Sequence, residues 1–124
     1  MTHEILGPRF ERRDDRGVFL EILNGFPAGT VVCGRMNAGA LMGNHFHRRT
    51  RVFFYVLAGA ADVGTVNVET GAKEKFQLGE NQGVFFETGE SHAIRFREDS
   101  EFLMLKSLPY DPEDPDTVEF PVPD

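Results

Sequence analysis

The chain is poor in features that often announce a function. It has one cysteine, Cys33, no tryptophan, and no apolar run long enough to span a bilayer. A single thiol excludes an intrachain disulfide and any zinc site built on cysteine. The N-terminal MTHEILGPRFERRDDRG lacks the apolar centre of a secretory signal, so a cytoplasmic location is expected. Lysine is scarce, three against ten arginines, and the formal net charge is −7. Such an acidic chain is not a general binder of nucleic acid or of anionic membranes. Repeats, low-complexity segments and long amphipathic helical patterns are also missing.

What remains is an ordinary globular composition, 40% hydrophobic and 27% charged over 124 residues. One domain over residues 1–124 is expected. Glycine and turn dipeptides divide it into short β-like runs, at 17–25, 29–39, 51–59, 61–71, 72–79, 83–89, 91–96 and 101–108. This spacing predicts an all-β antiparallel sandwich or barrel. NVETGAKEKF reads as a hairpin turning at Thr70-Gly71. The tail 109–124 is rich in Pro and Asp, yet Val118, Phe120 and Val122 alternate, which predicts an added edge strand. VFFYVL and VFF (84–86) are apolar on both faces, so both faces need cover. A second sheet with terminal strands, or a second subunit, would supply it, and a homodimer is expected.

Two histidines stand out. In GNHFHRRTRVFFYVLAG (43–59), His45 and His47 are one residue apart and project to the same side of a strand. A third, His92, follows the turn residue Gly89 in ETGESHAIRF. A jelly roll brings distant strands to one interior, so the three imidazoles can share a cavity. Neutral imidazoles ligate divalent transition metals and serve as acid–base groups. His3 is given no role. Arg48, Arg49 and Arg51 carry planar donor forks suited to phosphate or carboxylate, and read first as solvated surface charge.

The residues resemble the cupins. Gly39, His45, His47, position 52 and Gly59 keep the spacing of the first cupin motif, and Gly89 and His92 that of the second. The resemblance covers roughly residues 39–96 and implies a single-domain jelly-roll barrel, with N-terminal strands in 5–37 and an edge segment in 109–124. It implies a divalent transition metal (Zn, Fe, Ni or Mn) on His45, His47 and His92. The family's ligand glutamate is Val52 here and its proline is Glu87, so a metal-free site is the alternative. DDRGVFLEI, GNHFHRRT and YDPEDPDTVEFPV look like the cupin domain of capsular-polysaccharide epimerase/reductases. More loosely, they are similar to 3,5-epimerases and 3,4-ketoisomerases of 4-keto-6-deoxy sugar nucleotides. By that resemblance Arg16, Gly17 and Glu21 contribute to nucleotide binding and His45 is the catalytic base.

The chemistry so implied is removal of a proton next to a carbonyl. Imidazole suits it, because its pKa lies close to working pH. The enolate left behind needs a cation or donors nearby, for which Arg35, a protonated histidine or a metal are the candidates. Glu87 and Tyr55 are the next candidates for proton transfer, with His47 assisting His45. The expected enzyme is an epimerase or ketoisomerase of a nucleotide-linked keto sugar. Two alternatives stay open: a metal-free dehydratase or cyclase (a lyase) acting on a nucleoside or polyketide intermediate, and a non-catalytic small-molecule-binding cupin.

Overall fold

Glycines and short polar turns cut the chain into eleven strands, and the computed structural model, which describes residues 2–124, contains no helix. The strands are β1 (Phe10–Asp14), β2 (Gly17–Glu21), β3 (Thr30–Met36), β4 (Leu41–His47), β5 (Val52–Ala58), β6 (Ala61–Asn67), β7 (Lys73–Leu78), β8 (Gln82–Phe86), β9 (Glu90–Phe96), β10 (Ser100–Lys106) and β11 (Thr117–Glu119). Two antiparallel sheets, ordered β3-β10-β5-β8 and β11-β4-β9-β6-β7, face each other, and β1-β2 form a separate hairpin. Neighbours within each sheet are mostly distant in sequence, as in a jelly roll.

The core lies between the sheets. Val52, Phe54 and Val56 of β5 meet Val63, Leu78, Phe86, Ile94, Phe96 and Phe102, all buried. Each such side chain stabilises the fold by about 1.5–3 kcal/mol. The other face of β5, carrying Phe53 and Tyr55, is covered within the chain. Phe85 packs on Phe53, Phe26 packs on Phe85, and Leu6 pairs with Gly83. Gly83 is required there, since a Cβ would lie 2.7 Å from Tyr55 Cδ2 and 2.9 Å from Phe53 Cζ. The doubly apolar strands are thus satisfied by one chain and do not by themselves demand a second subunit.

The hairpin at Thr70-Gly71 forms as expected. Gly71 takes φ +79°, and the Asn67 side chain accepts from the N–H groups of Glu69 and Thr70, both at 3.0 Å. The tail adds edge strand β11 to β4, but pairing covers only three residues before Pro121. At the other end, Leu6 exchanges two 2.8 Å backbone bonds with Gly83 of β8. His3 reaches Glu90 at 2.8 Å and Glu74 of β7 at 3.2 Å. Residues 3–6 therefore stitch the open seam between the β7 and β8 edges, a role the sequence did not suggest for His3.

Candidate functional site

The histidine cluster depends on an irregularity in β4. Met42 pairs with Ile94 and Gly43 with Ala93, then the register shifts and His45 pairs with His92. Asn44 is the extra residue, with φ +60°. Met42 and His45 are three residues apart and would face opposite sides of a regular strand. The bulge turns both toward the core. Gly43 lets the strands approach, since a Cβ there would lie 2.3 Å from the His92 carbonyl oxygen. The C-terminal segment holds the bulge, with Phe120 N donating to Asn44 O and Val122 N to Asn44 Oδ1, both at 2.9 Å.

His45, His47 and His92 then converge. Ring centroids are 5.4 Å apart for His45–His47, 4.9 Å for His45–His92 and 6.2 Å for His47–His92. Phe86 stacks flat on His92 at 4.2 Å and fixes that ring. His47 and His92 are 6% and 3% exposed, so half-buried His45 is the member most open to solvent.

All three imidazoles are shifted toward the neutral form. Burial lowers His45 first, and the charge of Lys106 lowers it further. His47 is lowered by burial, then by the charges of His45 and Lys106, with Asp116 opposing. His92 is pushed down to about 3, chiefly by burial and then by the charges of its two partners. Neutral rings offer a lone pair for taking a proton.

Lys106 and Asp116 are the residues the sequence reading missed. Lys106 ends β10, two places beyond inward-facing Met104 and four beyond Phe102, so alternation puts it at the mouth of the same interior. Among the described residues no carboxylate lies within ion-pair distance of it. Its signal was that alternation, EFLMLK, with a cation in the last apolar position. Asp116 lies in the Pro- and Asp-rich tail, where no periodicity marks it. Its Oδ2 is 3.3 Å from His47 Nδ1.

The other expected site residues lie elsewhere. Tyr55 points to the outer face of β5, opposite Phe54, with its hydroxyl 3.3 Å from Asn81 Oδ1. Glu87 is exposed and bound twice by Arg51 Nε, at 2.8 and 2.9 Å, while the Arg51 guanidinium lies over Phe85 on the outer face. Arg35 alternates outward from Val32 and Met36 and pairs with Glu101 at 2.9 Å. None of the three faces the histidine cluster. Arg16 and Glu21 sit on the β1-β2 hairpin, where Arg16 is bound by Asp14 at 2.7 Å.

Three neutral histidines are a chemically suitable donor set, but Val52 adds no fourth ligand. Among the described residues no three His, Cys, Asp or Glu side chains are spaced to hold a metal ion. A hollow of about 500 Å³ lies on the outer face of the five-stranded sheet, lined by Gly64, Lys75, Ala93, Arg95 and Val122. It contains none of the histidines. The hollow carries Asp62, Lys75, Arg95 and Asp124, and the imidazoles belong to the cluster alone.

A jelly roll with inward imidazoles at these strand positions is a cupin. The chain belongs to the family described as polysaccharide biosynthesis C-terminal domain, whose model matches residues 12–118. Among solved structures it is similar to the capsular polysaccharide assembling protein CapF of Staphylococcus aureus. The two are 25% identical with a TM-score of 0.71, over 91% of this chain and 34% of that one. It is also similar to the rmlC epimerase of Mycobacterium tuberculosis, at 20% identity and TM-score 0.75, over 90% of this chain and 66% of that one. The dTDP-4-dehydrorhamnose 3,5-epimerase of Sulfolobus tokodaii gives 20% identity and TM-score 0.78, over 91% of this chain and 74% of that one. At 20% identity the two epimerases establish the shared fold. No curated protein matches the sequence.

Proposed function

We propose that this cupin removes the proton next to the carbonyl of a nucleotide-linked keto sugar, as an epimerase or ketoisomerase. The observation that carries the proposal is the convergence of three neutral imidazoles beside an unpaired cation, Lys106. His45 takes the C–H proton, and the electron pair of that bond moves into the carbonyl, whose oxygen becomes an enolate. Lys106 stabilises the negative oxygen. Return of a proton to the opposite face of the same carbon gives the epimer, and return to a neighbouring carbon gives the isomer. The scheme uses protein groups alone. The names of two similar structures, a 3'-monoepimerase in complex with dTDP-quinovose and its double mutant in complex with dTDP, support a nucleotide sugar as substrate.

The working form is proposed to be a homodimer. Among the described residues the β1-β2 hairpin pairs with no other strand and leaves Phe10, Val18 and Phe19 about half exposed, at 51%, 52% and 53%. Arg16 and Glu21 lie on this hairpin, which the proposed dimer would place beside a second copy. Light scattering should give twice the chain mass at micromolar concentration, and a monomer would refute the dimer.

The activity itself is tested in D2O with nucleotide-linked 4-keto-6-deoxyhexoses, as dTDP and UDP conjugates. Deuterium entering a carbon next to the carbonyl is the expected result. Binding without exchange would leave a ligand-binding module, and loss of water would make it a dehydratase.

A further inference from the structure

The histidine cluster supplies the proposed base, His45, while Tyr55 faces away from it. We propose that Asp116 is a positioning residue for His47, holding the Nδ1 side of that ring so that Nε2 faces the space shared with His45 and His92. The proposal rests on the reading of this cavity as the site of proton transfer.

Asp116 is itself rigidly placed. Its Oδ1 accepts from Arg49 N at 2.8 Å, its Oδ2 accepts from Thr50 N at 2.9 Å, and its carbonyl accepts from Arg48 N at 3.1 Å. The carboxylate thus closes the turn between β4 and β5, directly after His47. From there Oδ2 stands 3.3 Å from His47 Nδ1, and both side chains are mostly shielded, 15% and 8% exposed. His47 Nδ1 is buried with no other hydrogen-bond partner, and the 3.3 Å contact lacks full hydrogen-bond geometry. A small ring rotation on substrate binding would complete it, since catalytic hydrogen bonds often tighten only in the complex.

A carboxylate beside one imidazole nitrogen selects the tautomer with the proton on that nitrogen. With Nδ1–H turned to Asp116, the Nε2 lone pair is left for the cavity. There it can accept a hydrogen bond from a substrate hydroxyl, with the ring held in that orientation by Asp116. His45, with its ring 5.4 Å away, deals with the C–H proton. The order of the tail then becomes a condition of activity, because β11 and Asp116 are one clamp on β4. Arg49 reinforces it by gripping Asp114 at 3.0 Å.

The rival account is that Asp116 only holds the turn. Asp116→Asn and His47→Gln, singly and together, separate the two, with exchange of deuterium into the keto sugars as the rate. The expected result is that Asp116→Asn lowers kcat by about tenfold or more with KM within about twofold. In the His47→Gln background it should cost nothing further. An equal loss in both backgrounds would overturn the proposal, since a turn-holding role does not need His47. Nitrogen-15 NMR of the intact wild-type protein at pH 8 gives a readout independent of activity. It should show His47 as the Nδ1–H tautomer, shifting toward Nε2–H in Asp116→Asn. Nε2–H in the wild type would overturn the proposal even if the enzyme turns over. Nδ1–H in a protein that exchanges no deuterium would uphold the positioning and refute only the proposed function.

Discussion

His45 and His92 sit directly opposite each other on β4 and β9, ring centroids 4.9 Å apart and planes at 80°. Their pairing exists because Asn44 is inserted as a bulge just before His45. A regular β4 carrying Met42 inward would turn His45 to the outer face and empty the cavity of its most accessible imidazole.

Lys106 is expected to matter most among residues the sequence did not flag. Lys106→Met keeps the length of the side chain and removes the charge that the proposed mechanism sets beside the enolate. The loss of one such stabilising group costs about a hundred- to a thousand-fold in kcat. Steady-state rates of deuterium exchange check this, with KM expected to change far less than kcat.

Tyr55→Phe, Glu87→Gln and Arg35→Ala should each leave exchange within about threefold of wild type, the scale of substitutions that touch no reacting group. Tyr55 and Arg35 lie on outer faces of the four-stranded sheet, and Glu87 is held by Arg51. A loss of a hundredfold in any one would mean that the catalytic space has been drawn on the wrong side of that sheet.

Proton abstraction by protein groups predicts that prolonged dialysis against EDTA leaves the exchange rate within about twofold. If the rate falls and Zn²⁺ or Ni²⁺ restores it, the histidines hold an ion that polarises the carbonyl. Metal content measured before and after dialysis decides between the two.

The N-terminal stitch should make stability depend on pH. Hydrogen bonding to Glu90 raises His3, outweighing the opposing effect of burial, and the charges of Glu90 and Glu74 add to the rise. A folded-state pKa above the unfolded value means that the contribution is complete below about pH 6.5 and fades as pH climbs through the raised value. His3→Gln should therefore cost about 1 kcal/mol, or about 3–5 °C in Tm, at pH 6, with the gap to wild type closing by pH 9. A gap that is constant with pH would show that His3 acts by packing on Phe76 and not by charge.

Much of the architecture could be read from the chain, and the misses have physical causes. Glycine punctuation predicts an antiparallel sandwich or barrel, because turn chemistry and strand alternation are local, and the resemblance of the His45, His47 and His92 spacings to the cupin motifs implies the jelly roll. The hairpin at Thr70-Gly71 formed for the same reason. Alternation failed at β5, where both faces are apolar and nothing in VFFYVL shows that Phe54 faces inward and Tyr55 outward. It would have worked at β10, where Phe102 and Met104 place Lys106. Asp116 could not be found this way, since its position depends on a tail folding back onto the turn at residues 48–50. Both faces of β5 need cover, from terminal segments or from a second subunit, and Phe26, Phe85 and Leu6 supply it within the chain.

His45 is the proposed base on which the other roles depend. The direct measurement is solvent-deuterium incorporation at the carbon next to the carbonyl by His45→Gln, with fold and nucleotide binding checked on the same sample. Loss of a positioned general base should slow incorporation by about a hundred- to ten-thousand-fold, with binding and fold retained. Incorporation at the wild-type rate would contradict the account and move the proton transfer to another residue.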